Sequence, residues 1–286
     1  MAIVVNTNVS ALMAQRNLNS ATNALSTSIE RMSSGLKINR AADDAAGLSI
    51  ATNMNTKIRG SEVAQSNIQQ GINVLQTAEG YLSGITDNIN RVRDLAVQAS
   101  NGINSTDSKA AIIKEVKARV AEIDKQANGA EFNGVKLLDG AGSIATNGMR
   151  LQVGSGSDTA TNSITVENVF KKATASAIGL AADTAAIDTA FATATAAAAF
   201  IANCDAALKD ITTRRADIGA YQNRLTANYD ALGVTMENLQ ASKSTIMDVD
   251  VAKEASSLTR AQILQQAATS LLSQANQTPS IALSLI

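Results

Sequence analysis

Apolar residues recur with a period near 3.5 along most of the chain. Between Ile68 and Ala99 two seven-residue series interleave, one through Ile68, Leu75, Leu82, Ile89 and Ala96, the other through Gly71, Ala78, Ile85, Val92 and Ala99. That spacing keeps one stripe on the same side of a helix for many turns, so it predicts a long helix with a heptad seam. The N-terminal segment carries a weaker version through Leu18, Leu25 and Met32 with Ile29 and Leu36. Near the other end, Val251, Ala255, Leu258, Ala261, Leu264, Ala268, Leu271 and Ala275 repeat it.

Polar and small residues punctuate these stripes. Ser33, Ser34 and Gly35 read as a helix end, and Asp43 or Asp44 is placed to cap the next helix, where a carboxylate also meets the favourable end of the helix dipole. Salt bridges from Asp43 and Asp44 to Arg40 and Lys37 are expected there. The second helix should stop at Asn101-Gly102, a third should be capped between Ser105 and Asp107, and Asn128-Gly129 should end it. Glycines 60, 71, 80 and 84 each cost a helix about 1 kcal/mol against alanine, so close approach of another helix is expected to compensate.

From Phe132 to about Val169 the period falls to two. Short strands are predicted at Val135 to Leu138, Met149 to Val153 and Ser163 to Val166, separated by Asp139-Gly140, Asn147-Gly148 and the GSGSD run. Gly154 and Gly156 belong to a turn, since neither a lysine nor a helix start follows as a phosphate cradle requires. An alanine- and threonine-rich stretch runs from about Ala173 to Ala202, and helical periodicity resumes from about Asn203. The fold class expected is mainly α: an elongated antiparallel bundle or coiled coil of N- and C-terminal helices, with a small β-hairpin region in the middle.

Composition then narrows the chemistry. Apolar residues make up 45% of the 286, aromatics only 2%, and there is no histidine or tryptophan. Without histidine there is no histidine-based triad, general base or zinc site, and the single Cys204 cannot form an intrachain disulfide. Cys204 reads as a small apolar filler in an alanine-rich helix. No ionisable cluster of catalytic type is present, so no enzyme, cofactor or metal is expected. A net charge of −1 gives no reason to expect nucleic acid or an anionic membrane as partner. The N-terminus lacks the basic region, apolar run and cleavage site of a secretory signal. No charged side chain follows Arg260, but Gln262, Gln265, Gln266, Gln274, Asn276 and Gln277 interrupt any membrane span.

Several blocks are more specific than any periodicity. The stretch from Val5 to Leu18 (VNTNVSALMAQRNL), SSGLKINRAADDAAGLSIA from Ser33, RVRDLAVQAS from Arg91, EFNGVKLLDG from Glu131 and SLTRAQILQQAATSLLSQANQTP from Ser257 closely resemble bacterial flagellin. The resemblance covers about the first 170 and the last 85 residues. It implies a short form lacking the large outer domains, and the chain departs from the common pattern in closing on LSLI without a terminal arginine.

The resemblance implies a subunit exported through the flagellar type III apparatus with its export chaperone, then polymerised into an extracellular filament together with cap and hook-associated proteins. It places residues 1–44 and 248–286 in a terminal coiled-coil domain of the inner tube that is disordered in the monomer. Residues 45–172 and 200–247 would form the outer-tube bundle with its hairpin, and 173–199 a variable surface segment. Leu18, Leu25, Ile29, Met32, Leu258, Leu264, Leu271, Leu283, Leu285 and Ile286 are the expected subunit-packing residues. Terminal helices with an unmatched apolar stripe should stay poorly ordered alone, because ordering costs about 1 to 2 kcal/mol per residue in backbone entropy.

A second site follows from the same resemblance. Arg91, Leu95 and Glu115 stand where flagellins carry the contact for the host Toll-like receptor. Leu95 is expected to be exposed, since it lies off the seam of Ile89, Val92, Ala96 and Ala99. The alternatives are a hook-filament junction protein of the same family and a receptor-type cytoplasmic hairpin with similar alanine-rich heptads. Intact RVRDL and FNGVKLL blocks disfavour the first, and the strand region without any membrane span disfavours the second.

Overall fold

The protein is described by a computed structural model covering residues 7–140, 144, 147–180 and 183–283, with side chains as far as 277. Among the described residues, seven helices and four short strands follow in the order α1 (Val9–Ser34), α2 (Ala45–Ala99), α3 (Thr106–Gly129), β1 (Glu131–Phe132), β2 (Val135–Lys136), β3 (Met149–Gln152), α4 (Thr159–Asn162), β4 (Ser163–Val166), α5 (Thr184–Phe191), α6 (Ala194–Met247) and α7 (Val251–Leu283). The mainly helical class expected from the periodicity holds.

The helix ends fall where short polar residues and glycine were read. Asn8 caps α1 by accepting from the Ala11 N–H, and Gly35 closes it in the left-handed region at φ 71°, its own N–H donating to the Arg31 carbonyl. The Gly47 N–H donates to Asp44 Oδ1 at 2.9 Å at the start of α2. Ser105 caps α3 by accepting from the Ser108 N–H. Asp43 behaves differently from expectation: its carboxylate accepts the backbone N–H groups of Asn39 and Arg40, at 3.1 and 2.9 Å. The Arg40 guanidinium instead pairs with Glu30 at 2.9 Å. A backbone turn offers the short Asp43 side chain two donors at fixed positions, while the longer Arg40 reaches back to α1.

Two compact units divide the chain, Met1–Thr56 with Glu237–Ile286, and Lys57–Met236. The expected boundaries at 44 and 248 lie at helix ends, whereas this division falls within α2 and α6, so both helices contribute to both units.

In the unit Lys57–Met236 every member of the two heptad series between Ile68 and Ala99 is buried. They share one core with Ile112, Val116 and Ile123 of α3, Phe191 of α5, and Cys204, Ile211 and Ile218 of α6. β1 and β2 pair antiparallel around Asn133 (φ 48°) and Gly134 (φ 79°), the positive-φ pair that a two-residue hairpin requires. β3 and β4 pair antiparallel from Met149 with Val166 to Gln152 with Ser163.

Of the α2 glycines expected to meet a helix, Gly84 does, facing Gln126 of α3, whereas Gly60 and Gly71 receive the hairpin region. A Cβ at Gly71 would collide with Leu151 of β3, and one at Gly60 would lie 2.7 Å from Ser155 in the turn beyond it. The hairpin is therefore seated on α2 through two missing side chains. Gly80 faces open space.

The stretch 173–199, expected as a surface segment, supplies core. Ala173, Ala175, Ile178, Leu180, Ile187, Phe191 and Ala197 are buried, and Phe191 meets Phe200 with ring centroids 5.2 Å apart. Low sequence complexity hid this because alanine, with few atoms beyond its backbone, lets the scattered large residues reach inward. The path is pinned by polar groups: the Ala175 N–H donates to Asp124 Oδ1 at 2.8 Å, and buried Arg214 donates to the carbonyls of Lys171 and Lys172 while pairing with Asp210 at 2.6 Å.

Candidate functional site

In the unit Met1–Thr56 with Glu237–Ile286, α1 and α7 run antiparallel. Asn8 Nδ2 donates to the Ala275 carbonyl at 2.7 Å, and Gln265 Nε2 reaches Thr22 Oγ1 at 3.4 Å. At the other end of the pair the Val249 N–H donates to the Gly35 carbonyl at 3.0 Å and the Lys37 N–H to the Met247 carbonyl at 2.6 Å. A small satellite core of Ile38, Ala51 and Met247 lies beside that junction.

The residues buried between the two helices are small. Ala14, Ala21 and Ser28 of α1 face inward at strict seven-residue intervals, as do Ala261, Ala268 and Ala275 of α7, with Glu254 one heptad before them. Leu18, Leu25 and Leu258 are half-buried at the flanks of this seam. Most of the other large apolar residues turn outward. Leu12, Met13, Ile29 and Met32 of α1 and Val251, Ile263, Leu264 and Leu271 of α7 are all exposed, Leu264 at 53% and Leu271 at 62%.

An isolated exposed leucine is ordinary, but a row of them along two paired helices is not. Beside the seam runs a groove of about 470 Å³ lined by Ala21, Ala24, Ser28, Ala261, Leu264 and Leu271 among others. Its walls are mainly methyl and methylene groups. Such a surface suits contact with another apolar face. Of the expected packing residues, Leu285 and Ile286 lie outside the described residues, as does the side chain of Leu283.

The second expected site is partly assembled. Arg91 of α2 and Glu115 of α3 meet at the surface, with guanidinium to carboxylate distances of 2.8 and 2.9 Å, and Arg119 lies 4.0 Å from the same carboxylate. The hydrogen bond to Glu115 raises the Arg91 pKa above its already high ordinary value, so its charge is fixed at every physiological pH. Leu95 does not join them outside: it is 2% exposed and belongs to the core. The expectation assumed a two-helix seam. Because α3 and α6 share one core with α2, the buried arc of α2 is wide enough to take in Leu95 beside Val92, Ala96 and Ala99.

Cys204 is fully buried, and burial pushes its thiol up to about 12, with Asp205 adding to the same direction. It is thus a packed apolar group, unsuited to nucleophilic work. Among the described residues no cluster of metal-ligating side chains exists and no helix is long and apolar enough to cross a membrane. Sequence reasoning missed Arg214 and Asp124, which hold the 171–175 backbone in place. Their only signal was a charged residue inside an apolar period.

Comparison with known proteins places these features in a family. The family model for the bacterial flagellin N-terminal helical region matches residues 5–143, and that for the bacterial flagellin C-terminal helical region matches 201–286. The chain is similar to a flagellar filament 33 kDa core protein of Treponema phagedenis, with 40% identity over 292 residues covering 99% of this chain and 100% of the relative. It is 35% identical to flagellin D of Vibrio cholerae over an alignment of 376 positions that covers all of both chains. With 286 residues here, that relative carries segments this chain lacks. A solved structure assigned as a flagellar hook-associated protein of Vibrio parahaemolyticus covers 72% of this chain and 100% of its own, at 16% identity and a TM-score of 0.59, which is a likeness of fold.

Proposed function

The chain belongs to the bacterial flagellin family and is a structural subunit of the flagellar filament, and from that premise we propose that its copies join through the outward apolar faces of α1 and α7. The observation that carries this is the inversion of residue size across the α1–α7 pair, with alanine and serine inside and leucine, isoleucine and methionine outside. Covering one such side chain removes apolar surface from water at about 25 cal/mol per Å², which over a row of residues offsets the entropy of ordering two long helices.

In this reading Leu18, Leu25 and Leu258 stabilise the pair from its flanks. Ile29, Met32, Leu264 and Leu271 meet neighbouring copies, and Leu283, Leu285 and Ile286 extend the same uncharged surface. Residues 1–44 and 248–286 form the inner tube and order fully on assembly, while 45–247 form the outer layer. Filament subunits of this family form the extracellular flagellum. Export through the type III apparatus with a chaperone, and assembly beneath a cap on hook-associated proteins, complete the reading and rest on family membership. A junction-protein role is disfavoured by the filament-protein relatives matched over nearly the full length.

For the host Toll-like receptor, the surface pair of Arg91 and Glu115 is the contact we carry forward, with Leu95 holding the α2–α3 face from beneath. Loss of reporter-cell response in an Arg91→Ala, Glu115→Ala double variant is the expected outcome; an unchanged response would remove the contact.

The assembly reading is tested with the full chain carrying Leu264→Asp and Leu271→Asp. Both positions are exposed, so the monomer keeps its helical content by circular dichroism, while electron microscopy finds no filaments. Normal filaments from this variant would defeat the proposal.

A further inference from the structure

Asn101 and Gly102 lie in the connection between α2 and α3. Asn101, Gly102 and neighbouring Ile103 are all exposed, Ile103 at 86%. The Asn101 side-chain carbonyl accepts a hydrogen bond from the Ile103 N–H at 3.3 Å. That contact folds the side chain back across the peptide it precedes. The Gly102 N–H itself has no hydrogen-bond partner among the described residues. Glycine puts no Cβ in the way of that nitrogen.

We propose that Asn101 is a site of spontaneous deamidation, a built-in chemical clock in the α2–α3 connection. Hydroxide removes the Gly102 amide proton, and the nitrogen attacks Cγ of Asn101. The oxygen that gains negative charge is the one that already accepts from the Ile103 N–H. Collapse of the tetrahedral intermediate breaks the Cγ–Nδ2 bond, and the side-chain nitrogen leaves as ammonia after taking a proton from water. The resulting five-membered imide is opened by water at either carbonyl, giving aspartate or isoaspartate at position 101. No redox step and no reactant beyond water and hydroxide is needed.

The other Asn-Gly pairs are held away from this geometry. Asn128-Gly129 is still inside α3, where the helical ladder fixes the backbone. Asn133-Gly134 is locked in left-handed conformation between paired strands. Gly148 is held in the left-handed region at φ 73° next to the paired strands β3 and β4.

Conversion places a new carboxylate against the C-terminal end of α2, where the helix dipole already carries partial negative charge. It also acts on a loop whose Asn104 side chain donates to the carbonyls of Gln98 and Asn101, at 2.6 and 3.0 Å. The expected consequence is fraying of the last turn of α2.

The test incubates the full chain in mildly alkaline and mildly acidic buffer and follows the tryptic peptide from Asp94 to Lys109 by fragmentation mass spectrometry. Asn101 should gain the mass difference between amide and acid, faster at alkaline pH, with isoaspartate detected by enzymatic methylation. Asn104 in the same peptide supplies the background rate. A Cβ at Gly102 would meet open space and φ there is not positive, so Gly102→Ala folds normally; its Asn101 rate should fall to that of Asn104. An Asn101 rate equal to Asn104 in the unmodified chain, faster reaction at Asn133 or Asn147, or no slowing by Gly102→Ala would each overturn the proposal.

Discussion

The α1–α7 pair and the α2–α3–α6 core are built on the same seven-residue period with opposite contents. In the core, large residues such as Ile68, Leu75, Leu82 and Ile89 are inside and fully buried. In the pair, Ala14, Ala21, Ala261 and Ala268 are inside and the leucines are turned out. Periodicity alone therefore says that a helix packs, whereas the size of the residues on the stripe says whether the packing is complete within one chain. A leucine seam buries enough apolar area to stand alone. An alanine seam brings two backbones close and leaves the driving force for the next surface to supply.

The contrast can be broken most forcefully at the C-terminus. Deletion of residues 268–286 should abolish filaments in electron microscopy while the thermal transition of the Lys57–Met236 unit stays in place; a lost transition would show that the two regions are not independent. Single truncations give the next largest separation. Leu82→Ala and Leu95→Ala, both in the core, should each cost about 2–5 kcal/mol in denaturant unfolding, whereas exposed Leu271→Ala should change monomer stability by less than about 0.5 kcal/mol. Equal effects at Leu95 and Leu271 would erase the distinction.

A smaller effect tests the local caps. Ser105→Ala should cost about 1 kcal/mol, because the Ser108 N–H loses its acceptor. The smallest concerns Asp43, whose carboxyl is held below its ordinary value of 3.8 by the N–H groups of Arg40 and Asn39. A depressed folded-state pKa means that its contribution to stability is present above 3.8 and fades as pH falls through the lower folded value. Asp43→Asn should accordingly lower stability slightly at neutral pH and flatten the acid limb of the melting curve, so that the two proteins converge as pH falls. An identical acid limb in both proteins would show that these hydrogen bonds contribute nothing.

Much of the architecture was legible because helices advertise themselves through period and caps. Gly35, Ser105 and Gly129 mark ends within a residue or two of where they were expected. The heptad series of α2 was read correctly to its last member. What could not be read was how many neighbours a helix has. Leu95 was assigned to the surface by counting around a two-helix seam, and a three-helix environment buries it. The partner of Gly60 and Gly71 was expected to be a helix, and a hairpin fits the same absent side chains. Low complexity and the resemblance point to a surface segment in the alanine-threonine stretch, yet Leu180, Ile187 and Phe191 suffice for a core when alanine fills the spaces between them. For α1 and α7 the stripe was visible, but Leu264 and Leu271 were read on the same stripe as Ala261 and Ala268. Only the paired geometry separates inside from outside.

The alanine seam has one further consequence, which concerns alignment. A column of near-identical small steps at seven-residue intervals is almost as well matched after a slip of one full repeat, since each alanine would meet another alanine. The seam holds the helices together but carries little information about where along each other they should stop. In coiled coils that information usually resides in a single polar position. Here the alanine run ends on buried Ser28 and Glu254, beside the backbone hydrogen bonds joining Gly35 to Val249 and Lys37 to Met247, and the Asn8 side chain on the Ala275 carbonyl fixes the other end. The pair thus resembles a ruler with blank divisions and a fixed mark at each end, so Asn8 and the turn at Gly35 are the places where its length is read.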